Sequence, residues 1–79
     1  MKIAVISDLH MDAVTYGVNR FEESARALRV AVDGAIQTET DAFFCLGDVS
    51  DPGPRAHRVV AECVQAATRL HGAAIPSYW

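Results

Sequence analysis

The feature that most constrains the fold is an alternation between short apolar runs and long stretches with helical periodicity. The run Met1–Ile6 is rich in β-branched residues and too short for a helix, so it predicts a strand covered on both faces. The run Ala42–Leu46 predicts a second strand, and Ala73–Trp79 predicts the opening of a third. The connections are long enough for the crossovers that parallel strands require. The order β-α-β-α-β therefore predicts an α/β fold with a three-stranded parallel layer.

The first predicted helix follows a polar loop, Ser7–Val18. After this loop, apolar residues recur at three- and four-residue steps and form one stripe on a helix. The stripe consists of Phe21, Ala25, Leu28, Val32, Ala35 and Ile36. Asn19 and Glu22 have the spacing of a capping box, which predicts the start of the helix at Asn19. We expect the helix to end near Thr38.

The second predicted helix begins near Pro54, because the prolines and glycine of Ser50–Pro54 predict a turn and proline suits a first helical position. Its predicted stripe consists of Ala56, Val60, Cys63, Ala67 and Leu70. Gly72 is expected to adopt the left-handed conformation that often follows a helix. Right-handed crossovers running the same way would place both helices on one face of the sheet. The other face would then be an exposed apolar patch.

Composition excludes several classes of protein. The chain has 79 residues, 51% of them hydrophobic and 22% charged, which is typical of a soluble globular chain of at most one domain. A net charge of −3 gives no basic surface for nucleic acid, and arginines such as Arg20 and Arg58 are interpreted as solvated helix-surface residues. The apolar runs are too short for a membrane span or a signal peptide, which predicts a cytoplasmic location without a membrane partner. Cys45 and Cys63 are interpreted as small buried hydrophobic residues.

Two acidic motifs follow the first two predicted strands. They are Ser7-Asp8-Leu9-His10 and Gly47-Asp48-Val49-Ser50-Asp51. In open parallel sheets, ligands bind beyond the carboxyl ends of the strands. Neighbouring strands lie about 4.8 Å apart, so Asp8 and Asp48 could converge on one ion if their strands are neighbours. The imidazole of His10 could reach the same point.

Two carboxylates and one imidazole suit manganese, iron or zinc better than calcium. The two oxygens of Asp48 could bridge a pair of ions about 3.5–4 Å apart, the separation used in two-metal phosphoester chemistry. Gly47 would permit a sharp turn before it. An aspartate after a strand is also common as a turn or helix cap, and Asp51 fits a cap before Pro52 better than a ligand.

A receiver-like or flavodoxin-like domain is an alternative, in which Asp8 and Asp48 would form an acidic magnesium pocket. That alternative leaves His10 without a role, and no lysine at the end of a later strand matches it. A nucleotide-binding fold is disfavoured because no glycine-rich phosphate loop follows the first strand.

The two motifs resemble the Asp-x-His and Gly-Asp-x-x-Asp blocks of the calcineurin-like metallophosphoesterases. Gly17–Glu23 and Ile75–Trp79 are most similar to the DNA-repair exonuclease branch of that family. The resemblance implies phosphoester hydrolysis with two divalent ions, manganese, iron or zinc, and a phosphoester substrate, with DNA as a candidate. It implies that Asp8 and His10 bind the first ion and that Asp48 bridges both. Asp48 and His10 are accordingly also the predicted catalytic residues.

The later blocks of the family, Gly-Asn-His-Asp/Glu and Gly-x-His, do not occur in the 79 residues. The resemblance therefore implies that residues 1–79 form a partial domain, the first half of an α/β/β/α sandwich, in which at most one ion is well liganded. It also implies that the missing second half or a partner chain covers the sheet. The alternative is a catalytically incomplete half-domain that functions only by pairing with a complementary chain.

Overall fold

The computed structural model describes residues 1–7, 9–11, 14–15, 17–46 and 56–79, and within these ranges the chain forms two helices and five short strands. The elements are β1 (Ile3–Ser7), β2 (Val14–Thr15), β3 (Val18–Asn19), α1 (Phe21–Gln37), β4 (Ala42–Leu46), α2 (Ala56–Gly72) and β5 (Ser77–Tyr78). Neither of these helices is long and apolar enough to cross a membrane.

The main sheet consists of β1, β4 and β5, in that spatial order and with all strands parallel. Ile3 pairs with Ala42 at one end of the β1–β4 ladder, and Ser7 pairs with Leu46 at the other. β5 pairs with β4 over two residues, starting at Phe43. The predicted α/β fold with a three-stranded parallel layer is confirmed, and the first two predicted strands are direct neighbours.

A second, two-stranded sheet corrects the predicted loop Ser7–Val18. β2 and β3 pair in antiparallel orientation, with Thr15 opposite Val18. Gly17 has a φ of 78°, a conformation that glycine adopts without steric cost and that a tight hairpin turn requires. The sequence prediction missed this hairpin because each of its strands is only two residues long.

α1 has the predicted buried stripe. Its buried residues are Phe21, Ala25, Leu28, Val32 and Ala35, and Ile36 packs against them while partly exposed. The helix begins at Phe21 with Arg20 as its N-cap, one residue after the predicted capping residue Asn19. Oδ1 of Asn19 accepts a hydrogen bond from the backbone N–H of Phe21 at 2.8 Å, as the capping-box spacing predicts. The predicted end is confirmed, because Thr38 is the C-cap.

The buried face of α2 differs from the predicted stripe. Val59, Ala66 and Leu70 are buried, whereas Val60 is 62% exposed. The helix has apolar residues on two adjacent lines, so its periodicity alone fits both. Packing against α1 and β5 selects the line through Val59.

The end of α2 also differs from the prediction. Gly72 is the last helical residue, and the left-handed conformation belongs to Ala74, with a φ of 60°. The N–H of Ile75 then donates to the carbonyl of Leu70 at 2.9 Å, which turns the chain back so that Ile75 enters the core. The chain reverses two residues later than the glycine suggested.

The two faces of the main sheet differ in burial. Phe43 and Cys45 of β4 are buried in the core that includes the stripes of both helices. The opposite face, called here the apolar sheet face, includes Ile3, Val5, Phe44, Leu46 and Tyr78. The rings of Phe44 and Tyr78 stack across it with centroids 5.0 Å apart, and the other three side chains are more than half exposed. This agrees with the expectation that one face of the sheet is left bare by the helices.

Candidate metal centre

The two acidic motifs leave the sheet from adjacent positions. Ser7 and Leu46 are the last paired residues of β1 and β4, and both strands run in the same direction. Asp8 follows Ser7 directly, and Asp48 lies two residues beyond Leu46. Neighbouring strands lie about 4.8 Å apart, so both motifs begin at one short stretch of the carboxyl edge. Asp8 and Asp48 themselves lie outside the described residues.

The loop after β1 is held firmly on both sides of His10. Leu9 and Met11 are buried, and Met11 is completely inaccessible to solvent. The hydroxyl of Ser24, in the first turns of α1, donates a hydrogen bond to the carbonyl oxygen of Leu9 at 2.8 Å. His10 lies between these anchors and is partly buried. The helix that follows the loop thus fixes the backbone from which the predicted imidazole ligand projects.

The backbone of His10 is strained. Its φ of 45° lies in the left-handed region, which residues other than glycine seldom occupy. Such conformations cost on the order of 1–3 kcal/mol and persist only where the surrounding structure enforces them, most often at functional sites. The buried neighbours of His10 and the hydrogen bond from Ser24 supply that enforcement.

Of the three predicted ligands, only His10 belongs to the residues that the structure describes. Among residues 1–7, 9–11, 14–15, 17–46 and 56–79, no three His, Cys, Asp or Glu side chains form a group that could hold a metal ion. Because Asp8 and Asp48 fall outside these ranges, their convergence with His10 stays a prediction. Asp51, interpreted as a cap, also lies outside them.

The residue types fit a divalent cation. Two carboxylates and a neutral imidazole are a donor set for manganese, iron or zinc. The two strands that lead into the motifs are neighbours, and the His10 backbone is anchored at the same edge. The described residues at this edge are therefore compatible with one ion shared by the three predicted ligands.

Two arginine–glutamate pairs lie at the same edge, because α1 begins shortly after β1 and α2 runs parallel to α1. Nη2 of Arg58 donates to Oε1 of Glu22 at 2.8 Å, and its Cζ lies 4.5 Å from the ring centroid of Phe21. Nη2 of Arg20 donates to Oε1 of Glu23 at 2.5 Å. A cation over an aromatic ring is stabilised by about 0.5–1 kcal/mol at exposed sites. Sequence reasoning treated both arginines as solvated and missed these contacts.

The cysteines are not candidate nucleophiles. Both are free thiols, Cys45 buried and Cys63 partly buried. Burial raises the pKa of each thiol; proximity to Cys63 further raises the pKa of Cys45, and the Glu62 carboxylate that of Cys63. A raised pKa keeps the thiols protonated at neutral pH, and the thiolate is the nucleophilic form. The interpretation as a small buried hydrophobic residue is confirmed for Cys45, whereas Cys63 is only partly buried and packs against the core.

Comparison with known proteins gives one match. The model of the calcineurin-like phosphoesterase family matches residues 1–79, the whole of the chain. No curated protein and no solved structure matches the chain significantly. The match supports the predicted superfamily but does not distinguish a DNA-repair exonuclease from its other branches.

Proposed function

The chain belongs to the calcineurin-like phosphoesterase family, and from this premise we propose that it provides the first half of a two-metal centre that hydrolyses phosphodiesters. The observation that carries the proposal is the parallel pairing of β1 with β4 up to Ser7 and Leu46. Both acidic motifs follow directly from that pair. The family generally binds divalent metals and acts on phosphoesters.

In the proposed centre, Asp8 and His10 bind the first ion and Asp48 bridges to a second. Manganese, iron and zinc all fit this donor set. When bound, such ions supply positive charge for the phosphoryl oxygens and a water of lowered pKa. The chain's own contribution is positional: the buried Leu9 and Met11 hold the His10 backbone in its strained conformation.

The finer parts of the proposal concern substrate and assembly. A nuclease-type phosphodiesterase acting on DNA is supported by the resemblance of Gly17–Glu23 to the exonuclease branch. The apolar sheet face supports a domain that continues with further polypeptide, because a large exposed apolar patch usually marks an interface. A cytoplasmic location, for which composition is the support, completes this proposal.

The same apolar sheet face favours a second candidate, a catalytically incomplete half-domain that acts by pairing with a complementary chain. The two candidates differ in measurable ways. A half-domain would associate on light scattering and would not hydrolyse bis(p-nitrophenyl) phosphate with added manganese. A competent centre would bind manganese through Asp48 and hydrolyse the ester.

Calorimetric titration with manganese tests the metal site. We expect Asp48→Asn to lower the manganese affinity at least tenfold, because it removes one negative ligand. Asp41→Asn is the matched control, since Asp41 precedes β4 at the opposite edge, where its carboxylate accepts from the N–H of Lys2 at 2.7 Å. Equal affinities for Asp48→Asn and the native chain would show that the site is assigned wrongly.

A further inference from the structure

The guanidinium of Arg58 is held by two contacts, unlike that of a freely solvated surface arginine. Its guanidinium lies over the ring of Phe21, which is only 1% exposed and belongs to the core. Within the described part of the chain, the hydrogen bond to Glu22 uses one of the five N–H donors of the guanidinium. The side chain is nevertheless 45% exposed. The ring therefore orients a cation whose remaining donors can reach solvent.

The charge of Arg58 is placed against the local electrostatic preference. The first turn of α2 contains no acidic residue, and it carries the positive charge of Arg58. Positive side chains are unfavourable at the amino end of a helix, where the helix dipole is positive. α1 follows the usual rule, with acidic residues in its first turn, and so does the last turn of α2, which contains Arg69. Violations of local rules concentrate at functional sites.

Arg58 lies near the candidate metal centre. Ser24 donates to the carbonyl of Leu9, next to His10, at 2.8 Å, and Ser24 lies three residues from Phe21 on the same helix face. Through Ser24 and Phe21, these contacts place the guanidinium of Arg58 within about 17 Å of the backbone at Leu9. Each phosphate of one nucleic-acid strand adds about 3.4 Å along a duplex axis, so a distance of this size can be spanned by a substrate that carries more than one phosphate.

We propose that Arg58 binds a second phosphate group of the substrate, apart from the phosphorus that reacts. This rests on the proposed function, which it deepens by naming a substrate with more than one phosphate.

Exchange of partners makes the binding feasible. Exposed arginine–carboxylate pairs contribute little to stability, so replacing Glu22 by a phosphate costs little. A phosphate accepts two parallel hydrogen bonds from one guanidinium, which is a stronger contact than a single bond to a carboxylate. The ring of Phe21 keeps the guanidinium in place while the partner changes. Glu22 thus competes with the phosphate for Arg58.

The test is a binding measurement in EDTA, with fluorescence anisotropy of a labelled oligothymidylate as the probe. We expect Arg58→Ala to weaken binding about fivefold or more. The matched control is Arg69→Ala: Arg69 is paired with Asp33, is 46% exposed, and lies about 16 Å further along α2. Equal weakening of oligothymidylate binding by Arg58→Ala and Arg69→Ala would mean that only the net charge of the chain matters, and this would overturn the proposal.

A second pair of variants separates binding from a structural role. Glu22→Gln removes the competing carboxylate, so we expect it to tighten oligothymidylate binding two- to fivefold. Asp33→Asn removes the partner of Arg69 and should leave binding unchanged. Asp33→Asn removes the same negative charge, so equal tightening by Glu22→Gln and Asp33→Asn would mean that net charge alone is responsible and would overturn the proposal. Unchanged or weaker binding by Glu22→Gln also contradicts the proposal, even if Arg58→Ala does not fold.

Competitors identify the source of the phosphate. Competition by thymidine 3′,5′-bisphosphate that depends on Arg58 would place both phosphates on one nucleotide, and competition only by oligomers would place them on a strand. Arg58-independent competition by every phosphate would refute the site. The oligothymidylate assay contains no free metal, so it tests the phosphate site separately from the metal centre. Native-like manganese binding by Asp48→Asn would contradict only the metal centre. Native-like oligothymidylate binding by Arg58→Ala would contradict only the phosphate site.

Discussion

The hydrogen bond from Ser24 to Leu9 should set the manganese affinity of the site, although neither residue is a predicted ligand. It joins the start of α1 to the loop that carries His10. Ser24→Ala removes the donor and leaves the carbonyl of the buried Leu9 without that partner. The net value of such a bond is about 0.5–1.5 kcal/mol. The left-handed conformation of His10 costs on the order of 1–3 kcal/mol, which is as large as the free energy that this hydrogen bond contributes.

If the bond holds His10 in its strained conformation, Ser24→Ala lets the loop relax. Part of the free energy of manganese binding must then be used to restore the conformation of His10. At about 1.4 kcal/mol for each factor of ten, we expect a two- to tenfold loss of manganese affinity. The free energy of unfolding should fall by about 1–3 kcal/mol, because the carbonyl of the buried Leu9 is left without its donor. Calorimetric titration with manganese and urea unfolding measure the two quantities on the same variant.

Thr38→Val is the matched control. The hydroxyl of Thr38 donates to the carbonyl of Gly34 at 2.8 Å, at the opposite end of the same helix. We expect this variant to lose some stability and no manganese affinity. Equal manganese affinities for Ser24→Ala and the native chain, with the expected loss in stability, would refute the argument that the bond prepares His10. So would an equal loss of affinity in the control.

Two further predictions concern packing and alkaline pH. Val59→Ala should lower the free energy of unfolding by about 1–2 kcal/mol, because Val59 is buried, whereas Val60→Ala should change it by less than about 0.5 kcal/mol. Urea unfolding measures both values, and a larger loss for Val60→Ala than for Val59→Ala would show that Val59 does not lie on the buried face of α2. Burial raises the pKa of Cys45 above its ordinary value of 9.0, so the folded state disfavours the thiolate and the stability that this provides is lost as the pH rises above about 9. Cys45→Ala should show a smaller decrease in urea midpoint between pH 8 and pH 10, and an identical decrease would mean that the thiol does not contribute.

The sequence predicts the main sheet well because its signals are local. The β-branched run of β1 and the apolar run of β4 are each too short for a helix, and the lengths between them require parallel strands. The stripe of α1 is equally clear, since its apolar residues form a single line. The stripe of α2 is ambiguous because Val59 and Val60 are adjacent and both apolar. Only contacts with α1 and β5 choose between them, and periodicity contains no information about those contacts.

In the candidate site, too, features set by the local sequence can be predicted and features set by long-range contacts cannot. The two acidic motifs follow neighbouring parallel strands, as the order of elements predicts, so the sequence alone identifies the edge of the sheet from which both motifs begin. The strain at His10 and the position of Arg58 cannot be predicted in this way, because each depends on residues distant in the chain: Glu22 and Arg58 are 36 residues apart. One sign of Arg58 is nevertheless visible in the sequence, since a first helical turn that carries an arginine and no acidic residue opposes the helix dipole. Glu22, on the neighbouring helix, supplies the negative charge that the first turn of α2 lacks, and the proposed phosphate would take its place as the partner of Arg58.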